Sequence, residues 1–216
     1  MAETAASPTS AKPNAEKNLA ARVSPARQLA DEFAAGSLAG TVEISEVPFL
    51  TMVGLRALAG SAAAERLAGV TGGLPAGSGA VAGHGEVSVL WLGPAEFLVV
   101  APTEAHESLG GDLIPALRDA LGGDAGQVVD LSANRTTFEL TGPRARAVLE
   151  KGCSLDLHPR VFKAGTAFST EIANIPAILW KTGDESFRIF PRASFAEFLG
   201  RWLLDAMREY ASPEVP

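Results

Sequence analysis

The sequence predicts an α+β fold made by duplication of one unit, strand–strand–helix–strand–strand–helix. The first observation is an internal repeat: residues 90–102 (LWLGPAEFLVVAP) and 179–191 (LWKTGDESFRIFP) each contain two apolar strands joined by a turn, which is a hairpin pattern. The second observation is that two short strands and a helix precede each hairpin, and a helix follows it. The third is composition, because 47% hydrophobic and 20% charged residues are sufficient for a packed core.

Order is expected to begin with a short helix at Ser24. A serine hydroxyl can accept a hydrogen bond from the free N–H groups of a first helical turn. The proline that follows it has no N–H, and at this position an N–H would have no partner within the helix. Leu29, Ala30 and Phe33 then share one helix face, and Gly36 is a suitable end. This segment therefore precedes the first repeat unit.

The first unit begins with two strands within residues 41–57, which Pro48 separates. Ser61 is a suitable cap for a helix over 62–69. Residues 71–85 (TGGLPAGSGAVAGHG) have the composition of a loop. The first hairpin and a second helix complete the unit.

The second unit repeats this order. QVVDLS and TTFELTG predict two strands with Asn134 and Arg135 at their junction, and Gly142 with Pro143 opens the helix RARAVLEKG. After the second hairpin, Ser194 and Glu197 have the spacing of a capping box, in which each side chain satisfies a free backbone N–H. The apolar residues of this last helix recur at helical spacing: Phe195, Phe198, Leu199, Trp202, Leu203, Ala206 and Tyr210.

These elements define the expected domain organisation. Residues 24–211 form a single compact α+β domain made of two repeats, 41–122 and 127–211. Residues 1–23, rich in Ala, Ser, Thr, Pro, Glu and Lys, have almost no apolar surface to bury and predict a disordered tail.

Charge and composition exclude several classes of function. The 18 Lys and Arg against 25 Asp and Glu give a net charge of −7, which does not suit a nucleic-acid partner. No apolar run is long enough to span a membrane, and no export signal is evident. A single cysteine among 216 residues and three histidines leave little for a disulfide or a metal site. We therefore expect a cytoplasmic protein.

Motifs that could carry chemistry are weak. Gly77, Gly79 and Ala82 imitate a dinucleotide fingerprint, but a Pro/Gly loop precedes them and no helix follows. Cys153 and His158 are close in sequence, although a nucleophile and its base must be in contact. A semi-buried structural cysteine is the simpler interpretation.

The remaining polar candidates have plainer explanations. Asp130, Asp156 and Asp184 are possible acid–base groups, but turn and strand-end positions explain Asp130 and Asp184. The other two histidines, His84 and His106, are expected at the surface. A local basic cluster could bind an anion, although a solvated face is the simpler reading; it comprises Arg144, Arg146, Lys151, Arg160 and Lys163. We therefore expect no catalytic, cofactor-binding or metal-binding residue in this chain.

The chain nevertheless resembles a known superfamily. The segment 128–159 (VVDLSANRTTFELTGPRARAVLEKGCSLDLHP) is similar to the folate-binding fold of the glycine-cleavage aminomethyltransferase, or T-protein. Three further segments are more similar still to the gamma subunits of heterotetrameric sarcosine oxidases: EVPFLTMVGLR, VLWLGPAEFLVVAP and PRASFAEFLGRWLLDA. This resemblance extends from about Ser24 to the C-terminus.

The resemblance implies a role within a complex. The family enzyme demethylates sarcosine to glycine, produces hydrogen peroxide and can pass the one-carbon unit to tetrahydrofolate as 5,10-methylenetetrahydrofolate. It also implies that FAD, FMN, NAD, zinc and tetrahydrofolate belong to the partner alpha, beta and delta subunits, and that this chain has a structural or assembly role without a cofactor of its own.

One departure from the folate enzymes bears on a second hypothesis. Where they carry a G-G-[IV]-[IL]-D-D run, residues 175–181 read IPAILWK, and a cation and an indole cannot replace a carboxylate. This departure counts against the alternative hypothesis, a free-standing tetrahydrofolate-binding aminomethyltransferase-like protein. A generic interaction module is the third hypothesis. Binding of tetrahydrofolate or co-purification with flavin-bearing chains would discriminate them.

Overall fold

The computed structural model describes residues 22–211, which form two five-stranded antiparallel sheets covered by helices. Sheet I has the order β3-β4-β5-β2-β6, and its strands are β2 (Thr51–Arg56), β3 (Val81–His84), β4 (Val87–Gly93), β5 (Glu96–Ala101) and β6 (Gln127–Asp130). Sheet II has the order β1-β7-β10-β9-β8, and its strands are β1 (Glu43–Glu46), β7 (Phe138–Thr141), β8 (Thr166–Ile172), β9 (Ile175–Gly183) and β10 (Ser186–Pro191).

The helices lie between these strands in the order expected from the repeat. They are α1 (Ala30–Gly36), α2 (Ala62–Thr71), α3 (Leu113–Leu121), α4 (Ala145–Glu150) and α5 (Ala196–Ala211). The 3₁₀ turns Arg27–Leu29 and Ala193–Phe195 lead into α1 and α5, and two more follow β5, at Thr103–Ala105 and Glu107–Leu109.

The alternation of side chains along each strand produces four layers. In β5, Phe97 and Val99 pack with α2 and α3 on the outer face of sheet I, whereas Leu98 and Val100 face the other way. This inner face meets Phe190 and other inner-face residues of sheet II. Helices α1, α4 and α5 pack on the outer face of sheet II. Successive side chains of one strand point to opposite faces of the sheet, so a single strand contributes to two apolar layers.

The duplicated arrangement is confirmed, and the structure adds one strand to each unit. Strand β3 lies within residues 71–85, so the interpretation of that whole segment as a loop is wrong. Gly83, at φ 131°, allows the strand to approach β4 where a side chain would meet the Val87 carbonyl oxygen. A glycine-rich composition thus hid a strand, because these glycines serve close backbone approach as well as turns.

The first strands of the two units are exchanged between the sheets. Strand β1 pairs with β7 of the second unit, and β6 pairs with β2 of the first. Each unit therefore completes the sheet of the other. The two connections that cross between the sheets, residues 47–50 and 131–137, run beside each other.

Several expectations for the helix termini are wrong. The Ser24 hydroxyl donates to Glu46 at 2.6 Å and does not cap a helix. Ala30 is exposed, whereas Leu29 and Phe33 are buried as predicted. The turn before α5 has no side-chain cap, and Glu197 accepts from Arg201 Nε at 3.2 Å, so the reciprocal contacts of the expected capping box are not formed. Phe198 is 54% exposed because it lies on the solvent side of α5.

Candidate functional site

A cavity of about 430 Å³ lies where the two crossing connections meet. One wall is apolar and belongs to the β1–β2 connection and the start of β2, with Val47, Phe49, Leu50 and Met52. The opposite wall belongs to the β6–β7 connection and the turn after β5, and it is polar. Its side chains include His106, Asp130, Ser132, Arg135, Thr136 and Thr137, and Arg22 closes one side.

Backbone hydrogen bonds hold the two connections together. Val47 N–H donates to the Thr137 carbonyl at 2.9 Å, and Leu131 N–H donates to the Met52 carbonyl at 2.8 Å. Phe49 has a φ of 61°, which is an unusual conformation for a bulky residue. The strained residue lines the cavity, a placement common in functional sites.

His106 and Asp130 form a paired acid–base group at this cavity. His106 Nε2 lies 2.9 Å from Asp130 Oδ2, and the Ser108 N–H donates to His106 Nδ1 at 3.1 Å. Because Nδ1 accepts from a backbone N–H, the tautomer that fits has its proton on Nε2 and donates to Asp130. His106 is 8% exposed, so the expectation of a surface histidine is wrong. The reason is that the turn after β5 folds back onto β6.

Asp130 is held in its ionised form by its neighbours. Burial alone would raise the pKa of Asp130, but hydrogen bonds from Ser132 and His106 outweigh it and lower the pKa below its ordinary value. Its Oδ1 accepts from the Ser132 N–H at 2.9 Å, which is the turn chemistry expected from the sequence. The side chain thus closes its own turn and orients the imidazole.

Arg135 places a cation in the same wall. Its Nη1 donates to the Phe190 carbonyl at 2.8 Å. Burial, and then the charge of the neighbouring Arg192, lower the pKa of Arg135 below its ordinary value. Within residues 22–211, no ion pair joins Arg135 to a carboxylate. Arg22 contributes a second cation, and its Nη2 donates to Ser108 Oγ at 2.5 Å.

The other sequence candidates do not assemble into a reactive group. Cys153 Sγ lies 4.0 Å from Thr170 Oγ1, and burial raises the pKa of its thiol, so the structural interpretation of this cysteine is supported. His158 is exposed and its Nδ1 accepts from the Arg160 N–H at 3.2 Å. Asp156 closes the same turn by accepting from the His158 N–H at 2.9 Å.

The remaining candidates are surface features. His84 and Asp184 are exposed. In the basic cluster, Arg146 pairs with Glu150, and Lys151 donates to Glu209 Oε1 at 2.8 Å and to the Ala206 carbonyl at 2.6 Å. The first pair lies within α4, and the Lys151 contacts tie its end to α5, so the simpler interpretation of the cluster is supported.

The glycine motif and the folate-related segment also have structural roles. The Gly79 carbonyl accepts from Ala167 N–H at 3.1 Å and joins the loop to β8. Lys181 is 3% exposed and donates to the Phe162 carbonyl at 3.2 Å. Trp180 lines a separate cavity of about 330 Å³, with the Arg188 guanidinium 5.7 Å from its ring centre. The segment 175–181 contains no carboxylate side chain.

Two features that would bear on function are absent from residues 22–211. Among residues 22–211 no group of three or more His, Cys, Asp or Glu side chains is arranged to hold a metal ion. No helix in that range combines the length and apolar character needed to cross a membrane.

Sequence reasoning missed the cavity because its walls come from two connections 80 residues apart. His106 and Asp130 were each considered, but nothing in the sequence shows that the turn after β5 meets the end of β6. Arg135 carried one signal, since a cation stands in a short junction between two apolar strands. Its burial depends on Phe190 and Arg192 of the second hairpin.

Comparisons with known proteins agree with the fold and also indicate a family. Residues 57–209 match the family described as "Sarcosine oxidase, gamma subunit family". A sarcosine oxidase subunit gamma from Arthrobacter sp. is 51% identical over 90% of this chain and 94% of the relative. Another, from Corynebacterium sp. strain P-1, is 52% identical with the same coverage.

Two solved structures are also similar. The heterotetrameric sarcosine oxidase from Corynebacterium sp. U-96, in complex with pyrrole 2-carboxylate, contains a chain that is 49% identical, with a TM-score of 0.84 over 90% of this chain and 99% of that one. The glycine cleavage system aminomethyltransferase T from Bartonella henselae has a TM-score of 0.60 at 18% identity, covering 83% of this chain and 49% of that one. The second likeness is one of fold.

Proposed function

The chain belongs to the sarcosine oxidase gamma subunit family, and from this membership we propose that it is the non-catalytic gamma subunit of a heterotetrameric sarcosine oxidase. The observation that carries the proposal is the coverage of these relatives, since 90% of this chain aligns with 94% of each. A relative of nearly the same length supports a whole-subunit role, whereas a shared module alone would leave much of either chain unmatched.

We propose that the partners are alpha, beta and delta subunits and that these carry FAD, FMN, NAD, zinc and tetrahydrofolate. The assembled enzyme converts sarcosine to glycine, reduces oxygen to hydrogen peroxide and, with tetrahydrofolate, forms 5,10-methylenetetrahydrofolate. This chain acts in assembly, in the cytoplasm. The burial of Lys181 in place of a folate-side carboxylate supports the absence of a folate role.

The strand exchange supports one further part of the proposal. Residues 24–211 act as a single folding domain, because neither sheet is complete without a strand from the other repeat. Separate expression of 41–122 and 127–211 should therefore give unfolded chains, and co-expression should be required for any recovery.

The first experiment is purification of the tagged chain from cells that also express its partners. We expect a yellow assembly with sarcosine-dependent peroxide production, and a colourless chain when the partners are omitted. A lone chain that binds flavin, or one that never co-purifies with larger flavin-bearing chains, would contradict the proposal.

The second experiment tests whether this chain supplies catalytic groups. His106→Gln removes the most plausible acid–base group, and Cys153→Ser removes the thiol, while the stoichiometry of each variant assembly is checked. We expect kcat within about twofold of wild type, since loss of a general acid or base costs about 10²-fold or more. A loss of that size in a correctly assembled variant would make the chain catalytic.

A further inference from the structure

The cavity at the crossing connections contains an excess of positive charge in an acidic chain. Arg22 and Arg135 both line it, and neither forms an ion pair with a carboxylate among residues 22–211. Asp130 is the one carboxylate in the wall, and His106 and Ser132 already bind it. The cavity is therefore locally cationic although the whole chain has a net charge of −7.

Arg135 has unused capacity to bind an anion. A guanidinium presents five N–H donors, and the protein contact of this side chain is one hydrogen bond to the Phe190 carbonyl. A partly buried cation loses hydration, and this loss is normally offset by an anionic partner. The planar fork of an arginine matches a carboxylate in a two-point contact.

The opposite wall selects an organic ligand. Val47, Leu50 and Met52 offer aliphatic surface and Phe49 an aromatic side chain. None of these side chains can form a hydrogen bond to an inorganic ion. The volume of about 430 Å³ lies in the range of small-molecule sites. We propose that this cavity binds a small organic carboxylate, with its charged group at Arg135 and Arg22 and its carbon chain against the apolar wall.

The same chemistry has a second source, an acidic side chain of a partner subunit that reaches into the cavity. The volume of about 430 Å³ and the four apolar side chains favour the small molecule, because one side-chain carboxylate needs neither. The proposal concerns only residues of this chain, so it does not depend on which partners the chain has.

The test measures local hydrogen–deuterium exchange of the full chain within its native assembly, with propionate as the probe. Propionamide is the control, because it has the same shape without the charge. At a propionate concentration about ten times its Kd, exchange in peptides spanning 47–53 and 127–138 should slow by about tenfold. Propionamide should leave the same peptides unchanged, and peptides of α3 should not respond to either compound.

Three variants decide the role of the arginine. Arg135→Gln should abolish the protection, and Arg192→Gln, which removes the same charge outside the cavity lining, should retain it. If Arg135→Gln does not assemble, Arg22→Gln serves instead. It removes the second cation of the cavity, which is only partly buried, so it should fold, and it should weaken propionate binding several-fold.

Four results would overturn the proposal. Three are equal protection by propionamide and propionate, undiminished protection in both Arg135→Gln and Arg22→Gln, and absence of protection by propionate at any concentration. Protection that appears only after the partners are stripped away would also overturn it, because a carboxylate of a partner subunit would then fill the cavity.

Discussion

Glu46 and Asp130 are the last residues of the two exchanged strands, β1 and β6. Their hydrogen-bond partners differ, and this difference distinguishes the two halves of the duplicated fold. Glu46 ends β1 and accepts hydrogen bonds from Ser24 Oγ at 2.6 Å, from Ala26 N–H at 3.1 Å and from the Thr136 hydroxyl. Asp130 ends β6 and is bound by Ser132 N–H and His106. Both carboxylates bind the crossing connection 131–137, Glu46 at Thr136 and Asp130 at Ser132, and Glu46 also binds a segment that precedes the repeats.

The difference follows from what covers each edge strand. Strand β1 lies under α1, and Ser37 Oγ accepts from the Ile44 N–H at 3.0 Å, so part of its outer edge is satisfied. Strand β6 is mostly exposed, and Val129 is 45% exposed. An uncovered edge strand is a natural place for another chain to pair. The two sheets have the same number of strands, but α1 covers the β1 edge of sheet II and the β6 edge of sheet I remains open.

The largest expected effect comes from removing the cover of β1. Phe33 of α1 is 3% exposed, and its ring contacts Phe138 edge-to-face at 5.6 Å. Phe33→Ala should lower the free energy of unfolding by about 3–5 kcal/mol, measured by urea denaturation. Val129→Ala on the open edge should change it by less than about 0.5 kcal/mol. Similar losses in both variants would show that the two edges are equally packed.

The next effect tests the carboxylate of β1. Glu46→Gln keeps the shape of the side chain, but its NH₂ group replaces one of the two carboxylate oxygens. It can therefore no longer accept both from Ser24 at one oxygen and from Ala26 and Thr136 at the other. We expect a loss of about 1.5–3 kcal/mol in unfolding free energy. Glu43→Gln, exposed on the same strand, is the matched control and should be near neutral. Equal losses would mean that the Glu46 contacts contribute nothing specific.

The comparison also shows what the sequence could and could not predict. Hairpins and helices were predicted because their signals are local, such as the apolar periodicity of 90–102 and the Ser61 cap. The exchange of β1 and β6 was not, because a four-residue strand carries no signal for which sheet it joins. Pairing partners are set by contacts across more than about 70 residues, as between β1 and β7 and between β2 and β6.

The cavity was missed for the same reason. Asp130 was correctly read as a residue that closes a turn, and its Oδ1 does accept from Ser132 N–H. Its second oxygen binds His106, which is 24 residues earlier. One side chain thus has a local role that the sequence shows and a long-range role that it does not.

A smaller effect distinguishes a true helix cap from an apparent one. Ser61 Oγ accepts from the Ala64 N–H at 3.1 Å at the start of α2, whereas Ser194 precedes α5 without capping it. Ser61→Ala should cost about 1 kcal/mol of unfolding free energy. Ser194→Ala should change it by less than about 0.5 kcal/mol. A cost of about 1 kcal/mol at Ser194 would mean that its capping box forms in solution.

The smallest effect concerns the pH dependence of Asp130. Its pKa is lowered in the folded chain, while in the unfolded chain an aspartate titrates at about 3.9. As the pH falls below about 4, the unfolded chain takes up this proton first, so the stabilisation by Asp130 is complete above that pH and is lost as the pH falls through the folded pKa.

Asp130→Asn removes this proton uptake. The difference in unfolding free energy between wild type and variant should therefore be constant from about pH 5 to pH 7 and shrink below about pH 4. The group is partly exposed, so the difference should stay below about 1 kcal/mol. Urea denaturation across this range measures it, with Asp156→Asn, an exposed turn aspartate, as the control. A difference that grows as the pH falls would mean that the pKa of Asp130 is raised in the folded chain, and the pairing with His106 would then need another explanation.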